Sequence, residues 1–185
     1  LALALLVLFN LLFTESFLSL QTLNVNLTQV TTIVIVGVGM TLVIATGGID
    51  LSVGALMAIA GTLAPLIFQA LPGGWGLAAS ILLPIAVAAA CGCFNGWLVT
   101  GFGIQPIVAT LVLFIAGRGV AQVLTNGNLQ SFDSPGFAVL GKGQVLGLPV
   151  QVWLMLVIVL VASWVLQRTV FGRFVVATGG NEKAA

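Results

Sequence analysis

Long apolar runs separated by short polar or glycine-rich breaks set the pattern of this chain. Residues 1–13 are almost wholly apolar, whereas 14–27 carry Glu15, Gln21, Asn24 and Asn26 and read as a loop. Apolar character returns over 28–46, stops at Gly47-Gly48-Ile49-Asp50, and resumes over 51–70. Pro72-Gly73-Gly74 marks a turn, and a further run covers 77–100. A short turn over 101–106 leads into 107–124. A longer polar loop, 125–150, holds Asp133 and Lys142; residues 151–167 are apolar again, and 168–185 form a polar tail. A helix needs about 20 mostly apolar residues to cross a bilayer. The pattern therefore predicts about six spans, the first truncated, in a single incomplete membrane domain over 1–185. The chain opens at Leu1 without a basic n-region, and Asn181–Ala185 ends it with no helix stop signal. It reads as the N-terminal part of a longer polypeptide.

Composition sharpens this. Hydrophobic residues make up 60% of the 185 positions and charged residues 5%, against about 25% charged in an ordinary soluble domain. Five basic and four acidic side chains cannot cover the surface of a soluble protein this size. A soluble enzyme and a disordered chain are excluded. A net charge of +1 offers no basic face for nucleic acid. What remains is an all-α polytopic transmembrane bundle. His is absent, which removes the commonest general base and metal ligand. Cys91 and Cys93, set among Ala90, Gly92 and Phe94, read as small packing residues rather than a metal or redox pair, because a metal needs more ligands than this segment supplies.

Orientation follows from Lys and Arg in short loops. The tail has Arg168, Arg173 and Lys183, and the 125–150 loop has Lys142 alone. The tail is therefore expected in the cytoplasm, and six crossings place Leu1 there too. Loops 14–27, 71–76 and 125–150 then face outward, and turns 47–50 and 101–106 inward. Trp75 and Trp153 fall at outer boundaries of this map, Trp97 and Trp164 at inner ones, the headgroup depth that tryptophan prefers.

Small and polar residues inside the runs carry the remaining signal. Gly92 and Gly96 form a G-x-x-x-G step, and Gly54, Ala58 and Gly61 a similar small face; such residues let membrane helices approach closely. Pro65 and Pro84 each free a backbone carbonyl within a span and permit a kink. The sharpest local feature is Gly47-Gly48-Ile49-Asp50-Leu51-Ser52-Val53-Gly54. Two glycines end one helix, and Asp50 or Ser52 is placed to cap the next. The other reading makes Asp50 a group that lines a pathway or contacts a cytoplasmic partner. Arg118 is the one charge well inside a span. It lies 12 residues past Pro106, about 18 Å along the helix. Asp50 begins a helix at the inner face, so an ion pair between the two is not expected.

Thr41–Thr46 followed by Gly47-Gly48-Ile49-Asp50-Leu51-Ser52-Val53-Gly54 resembles the signature of bacterial sugar ABC-transporter permeases, the ribose, galactose, xylose and galactofuranose type. Ile104-Gln105-Pro106-Ile107-Val108-Ala109-Thr110-Leu111, Gly117-Arg118-Gly119, Phe171-Gly172-Arg173 and Ala177-Thr178-Gly179-Gly180-Asn181-Glu182-Lys183-Ala184-Ala185 match the same family in order. Asp133-Ser134-Pro135 and the stretch 117–122 look closest to galactofuranose-type members. The resemblance implies an inner-membrane permease of roughly ten helices, paired with a second permease subunit to form the pathway. It implies a periplasmic sugar-binding protein outside and ATP-binding cassette subunits inside, with ATP on the partner and no cofactor on this chain. It also implies that Gly172, Arg173, Gly179, Gly180, Asn181, Glu182, Ala184 and Ala185 belong to an ATPase-coupling segment. The chain has no G-x-x-x-x-G-K-[ST] phosphate loop. Two other classes stay open: an ion-coupled secondary transporter, which a broken helix at Gly47-Gly48 would suit, and an intramembrane enzyme, which lacks a His base or a second membrane carboxylate.

Overall fold

The computed structural model describes residues 1–15, 17–71 and 73–181. These residues form eight helices and one hairpin: α1 (Ala2–Phe13), α2 (Leu20–Ala45), α3 (Val53–Ala70), α4 (Trp75–Phe102), α5 (Pro106–Thr125), α6 (Pro135–Lys142), β1 (Gln144–Val145), β2 (Leu148–Pro149), α7 (Val150–Arg168) and α8 (Val170–Gly180). Five of the helices, α2, α3, α4, α5 and α7, are long and apolar enough to cross a membrane. The architecture is a polytopic helix bundle. α1 is helical but has only 12 residues, short of a full crossing.

Three stretches depart from the hydropathy map. Residues 20–27, expected as loop, are the first two turns of α2. Ser19 starts that helix early: its Oγ accepts the Thr22 N–H at 3.1 Å, satisfying one of the donors every helix start leaves free. The 125–150 loop contains α6 and the antiparallel β1–β2 hairpin, in which Gln144 pairs with Pro149 and Val145 with Leu148. Its two-residue turn has positive φ at both Leu146 and Gly147, the backbone that matches strand twist. The polar tail is largely α8, capped by Thr169, whose Oγ1 accepts from the Gly172 N–H at 3.3 Å.

The packing is inverted relative to a water-soluble core. The buried set includes Thr31, Ser52, Ser80, Asn95, Thr110, Thr125 and Ser134, while large apolar side chains along every long helix face outward. Lipid supplies no hydrogen bonds, so a buried hydroxyl must find a partner inside the protein. Thr31, Ser80 and Thr125 do so within their own helices, donating to Leu27, Leu77 and Ala121 carbonyls at 2.8, 2.9 and 3.1 Å. α3, α4 and α5 pack on one another, and α2 packs on α7 and α8. α5 comes close to α3 at Gly117: a Cβ there would stand 3.0 Å from Ala55 Cβ and 3.2 Å from Ile59 Cδ1.

Candidate functional site

The site is built where α2 breaks. Helix α2 ends at Ala45, and Gly47 takes φ +80°, a conformation without steric cost for glycine. The Gly47 and Gly48 N–H groups return to the Ile44 and Val43 carbonyls at 2.9 and 3.1 Å, satisfying acceptors the helix end leaves open. Asp50 then organises the entry to α3. Its Oδ1 accepts both the Ser52 backbone N–H at 2.7 Å and the Ser52 hydroxyl at 2.6 Å.

This differs from the expected cap. Ser52 occupies the position before α3, but its side chain makes no bond to the first turn. The reason lies in its backbone, φ −74° and ψ −14°, which is already helical. A capping serine uses extended backbone to reach forward; this one is buried at 1% exposure with its hydroxyl turned to Asp50. Asp50 therefore shapes the turn ahead of the helix. Its Oδ2 has no hydrogen bond among the described residues.

α4 and α5 close around this turn. Together they leave a cleft of about 230 Å³, lined by Thr46, Asp50, Asn95, Thr100, Pro106 and Thr110 among others. Pro106 is the first residue of α5, where its missing N–H costs nothing, and Gln105 before it makes no side-chain cap bond. Thr110 Oγ1 donates to the Pro106 carbonyl at 2.9 Å and lies 3.5 Å from the Ile49 carbonyl. Asn95 is 7% exposed, and its Nδ2 is sealed from solvent with no hydrogen-bond partner among the described residues. Gly92 and Gly96 line the same cleft and have open space where a Cβ would go. Among the described residues, no helix packs closely on the G-x-x-x-G step.

The other expected site residues lie in separate places. Gly54 faces Phe114, whose ring would be 3.6 Å from an added Cβ. Arg118 is on α5 with its guanidinium over the Phe114 ring, 5.6 Å from the centroid, and Asp50 bonds Ser52 instead. Gly172 sits in the α7–α8 corner, where a Cβ would overlap the Leu166 carbonyl. Arg173 is exposed on α8. A Cβ on Gly179 would overlap the Ala45 carbonyl oxygen, so the end of α8 lies directly against the end of α2. Gly180 has open space around it. The Asn181 N–H bonds the Ala177 carbonyl at 3.0 Å and closes α8. Glu182, Ala184 and Ala185 lie outside the described residues. No group of three metal-ligating side chains occurs among the described residues.

Sequence reasoning passed over Asn95. The signal was present: it is the sole amide side chain in the apolar run 77–100, and lipid-facing positions do not hold amides without a partner.

Residues 23–185 match the family described as the branched-chain amino acid transport system/permease component. The galactofuranose transporter permease YtfT of Escherichia coli K12 is 46% identical over 154 residues, covering 83% of this chain and 44% of the relative. The ribose import permease RbsC of the same strain is 38% identical over 177 residues, covering 91% and 53%. The autoinducer 2 import permease LsrC of Yersinia pestis is 37% identical over 193 residues, covering 99% and 52%. The chain spans about half the length of these curated relatives. No solved structure matches it. With that identity, and a family match running from residue 23 to the end of the chain, this protein belongs to the branched-chain amino acid transport system/permease component family.

Proposed function

We propose that this chain is part of the membrane-spanning subunit of an ATP-driven importer that moves a monosaccharide across the bacterial inner membrane. The observation that carries it is the family match together with relatives whose names specify galactofuranose and ribose import. The helix break at Gly47–Asp50 and the cleft beside it suit a pathway protein better than a passive anchor.

In this reading both chain ends are cytoplasmic, by the balance of Arg168, Arg173 and Lys183 against Lys142. A sugar-binding protein delivers substrate on the outer face, where a groove between α2 and the hairpin is lined by Gln21, Asn24, Gln29, Lys142 and Gln144. ATP is hydrolysed on a separate cytoplasmic subunit, and a second permease subunit completes the pathway. Residues 172–185 meet the ATPase. Two features support that role for α8. Its start is fixed to α7 at Gly172, and its end touches α2 at Gly179, with no side chain between the two backbones. A push on α8 therefore reaches the Gly47–Asp50 turn with no side-chain rotation to absorb it.

The test is uptake into proteoliposomes holding the complete permease, its ATPase subunit and its binding protein. ATP-dependent accumulation of ribose or galactofuranose is the expected result. Uptake that persists without ATP but collapses with an ionophore would assign the protein to ion-coupled transport instead.

A further inference from the structure

We infer that α8 is an interfacial helix, lying along the membrane surface at the end of α7, with Phe171 and Phe174 in the acyl boundary of an anionic bilayer and Arg168 and Arg173 among its headgroups. This goes beyond the transport reading and stands without it, because it needs only the membrane-spanning bundle. The placement of α8 comes first. α2 and α7 pack side by side, and the start of α2 lines one groove with the β1–β2 hairpin that leads into α7. The two spans therefore run parallel and finish at the same end of the bundle. α8 touches both, at α7 where Gly172 lies against the Leu166 carbonyl and at α2 where Gly179 lies against the Ala45 carbonyl. It thus runs from one span end to the other, across the end of the bundle. Its 11 residues reach about 17 Å at 1.5 Å per residue, too short to cross a bilayer.

The helix then presents three sides, about a third of a turn apart at about 3.6 residues per turn. Gly172, Val175 and Gly179 form the side packed on the bundle. Phe171 and Phe174 form the second, 57% and 60% exposed. Arg173 projects from the third and is exposed. What covers the phenylalanine side is indicated by the surface it continues. On α7, Val157, Leu160, Val161 and Trp164 make one exposed apolar stripe, and the exposed Arg168 ends it. Tryptophan followed by arginine is how the lipid-facing stripe of a span meets the headgroups, and Phe171 follows Arg168 directly into α8. Trp97 and Phe102, exposed and edge-to-face at 4.8 Å, sit at the end of α4, which borders the end of α2. They place an aromatic belt at the same end of the bundle. Arg168 and Arg173 make no ion pair or hydrogen bond among the described residues, so both charges are free for lipid phosphate. Exposed phenylalanines one turn apart gain nothing from water. In the interface they gain burial, and the cations beside them gain attraction to anionic lipid. The Arg173 side stays at the water, open to the cytoplasmic partner of the transport reading.

The experiment uses the complete permease with Cys91 and Cys93 replaced, in nanodiscs of phosphatidylcholine alone or mixed with phosphatidylglycerol, with and without its ATPase subunit. A nitroxide is attached in turn at Phe171→Cys, Phe174→Cys and Arg173→Cys, and its collisions with oxygen and with a water-soluble nickel chelate are measured. Oxygen concentrates in hydrocarbon and the chelate in water. The expected result is that oxygen dominates at 171 and 174, with or without the ATPase subunit, and that nickel dominates at 173. In the mixed bilayer the label at 174 should sit deeper, and Arg168→Gln combined with Arg173→Gln should abolish that shift. Two exposed positions report the same face, so failure of one variant to fold leaves the other as the test. Nickel-dominated collisions at 171 and 174 put the face in water and overturn the inference. Labels there that neither reagent reaches are covered by protein and overturn it equally; if this occurs only with the ATPase subunit present, that subunit is the occupant. Equal depth in the two bilayers overturns the assignment of the arginines to anionic headgroups.

Discussion

Glycine at 117 should be required for α3 to meet α5, and the size of the effect can be worked from the contact. Replacing Gly117 with Ala puts a methyl 3.0 Å from Ala55 Cβ and 3.2 Å from Ile59 Cδ1. Ile59 can turn its terminal carbon aside. Ala55 cannot, because its Cβ is fixed to the α3 backbone and the residue is 0% exposed. Overpacking of this kind costs about 1–3 kcal/mol. Against it stands the helix preference of Ala over Gly, about 1 kcal/mol. The balance is a net loss of about 0–2 kcal/mol for Gly117→Ala. Gly117→Val adds two more methyls and a branched Cβ to the same space, and should reach about 3 kcal/mol. Gly119, two residues on in the same helix, is the internal control, with nothing within 4 Å of its Cβ position. Gly119→Ala should keep the propensity gain and lose nothing. Thermal unfolding followed by size-exclusion chromatography in detergent should rank the proteins Gly119→Ala at or above wild type, then Gly117→Ala, then Gly117→Val. Equal melting of Gly117→Val and Gly119→Ala would show that α3 and α5 do not pack through this glycine.

Asp50→Leu should lower stability by about 2–6 kcal/mol, because it orphans the Ser52 N–H and the buried Ser52 hydroxyl, at about 1–3 kcal/mol each. Asp50→Asn keeps an acceptor at Oδ1 and should lose only about 1 kcal/mol; equal loss in both, by the same thermal assay, would refute the turn-building role. With Cys91 and Cys93 replaced, a single cysteine at Ser131 should react with an impermeant thiol reagent in intact cells, and one at Thr178 should not; the reverse pattern would invert the topology. Gly179→Ala should raise the ATP hydrolysed per sugar imported, since its methyl overlaps the Ala45 carbonyl, while Gly180→Ala, set in open space, should match wild type. Matched ratios in the two variants would remove α8 from the coupling route.

The long spans were legible because lipid demands continuous apolar sequence, and α3, α4, α5 and α7 follow the hydropathy runs to within a few residues. The start of α2 was not legible in that way. Gln21, Asn24 and Asn26 look like loop residues to a hydropathy reading, yet a helix can carry amides where it leaves the apolar layer, and Ser19 was the available sign of its start. α8 was hidden for a related reason. Its 11 residues are too few to register as a span, and Gly172, Gly179 and Gly180 read as breakers. At Gly172 and Gly179 the glycine is instead demanded by backbone contact, which only the tertiary arrangement reveals. The break motif announced itself through Gly47, Gly48 and Asp50. The direction of its hydrogen bonds did not, because whether Ser52 caps forward or bonds back depends on one backbone angle that composition does not encode.

The glycines divide into two physical kinds, and the division indicates which contacts are fixed. At Gly117, Gly172 and Gly179 an added methyl would strike a neighbour, so these residues mark places where one element is held tightly against another. They join α5 to α3, α8 to α7, and α8 to α2. At Gly37, Gly39, Gly61, Gly92 and Gly96 a methyl would meet nothing. Intrinsic preference alone favours Ala at such helical positions by about 1 kcal/mol each, so packing within these described residues gives no reason for them. Gly92 and Gly96 share their helix face with the unpaired Asn95 amide and the cleft beside Asp50. The tightly packed glycines thus hold α8 against α7 and against the end of α2 that leads into the Gly47–Asp50 turn, and the open ones leave the α4 face beside that turn bare.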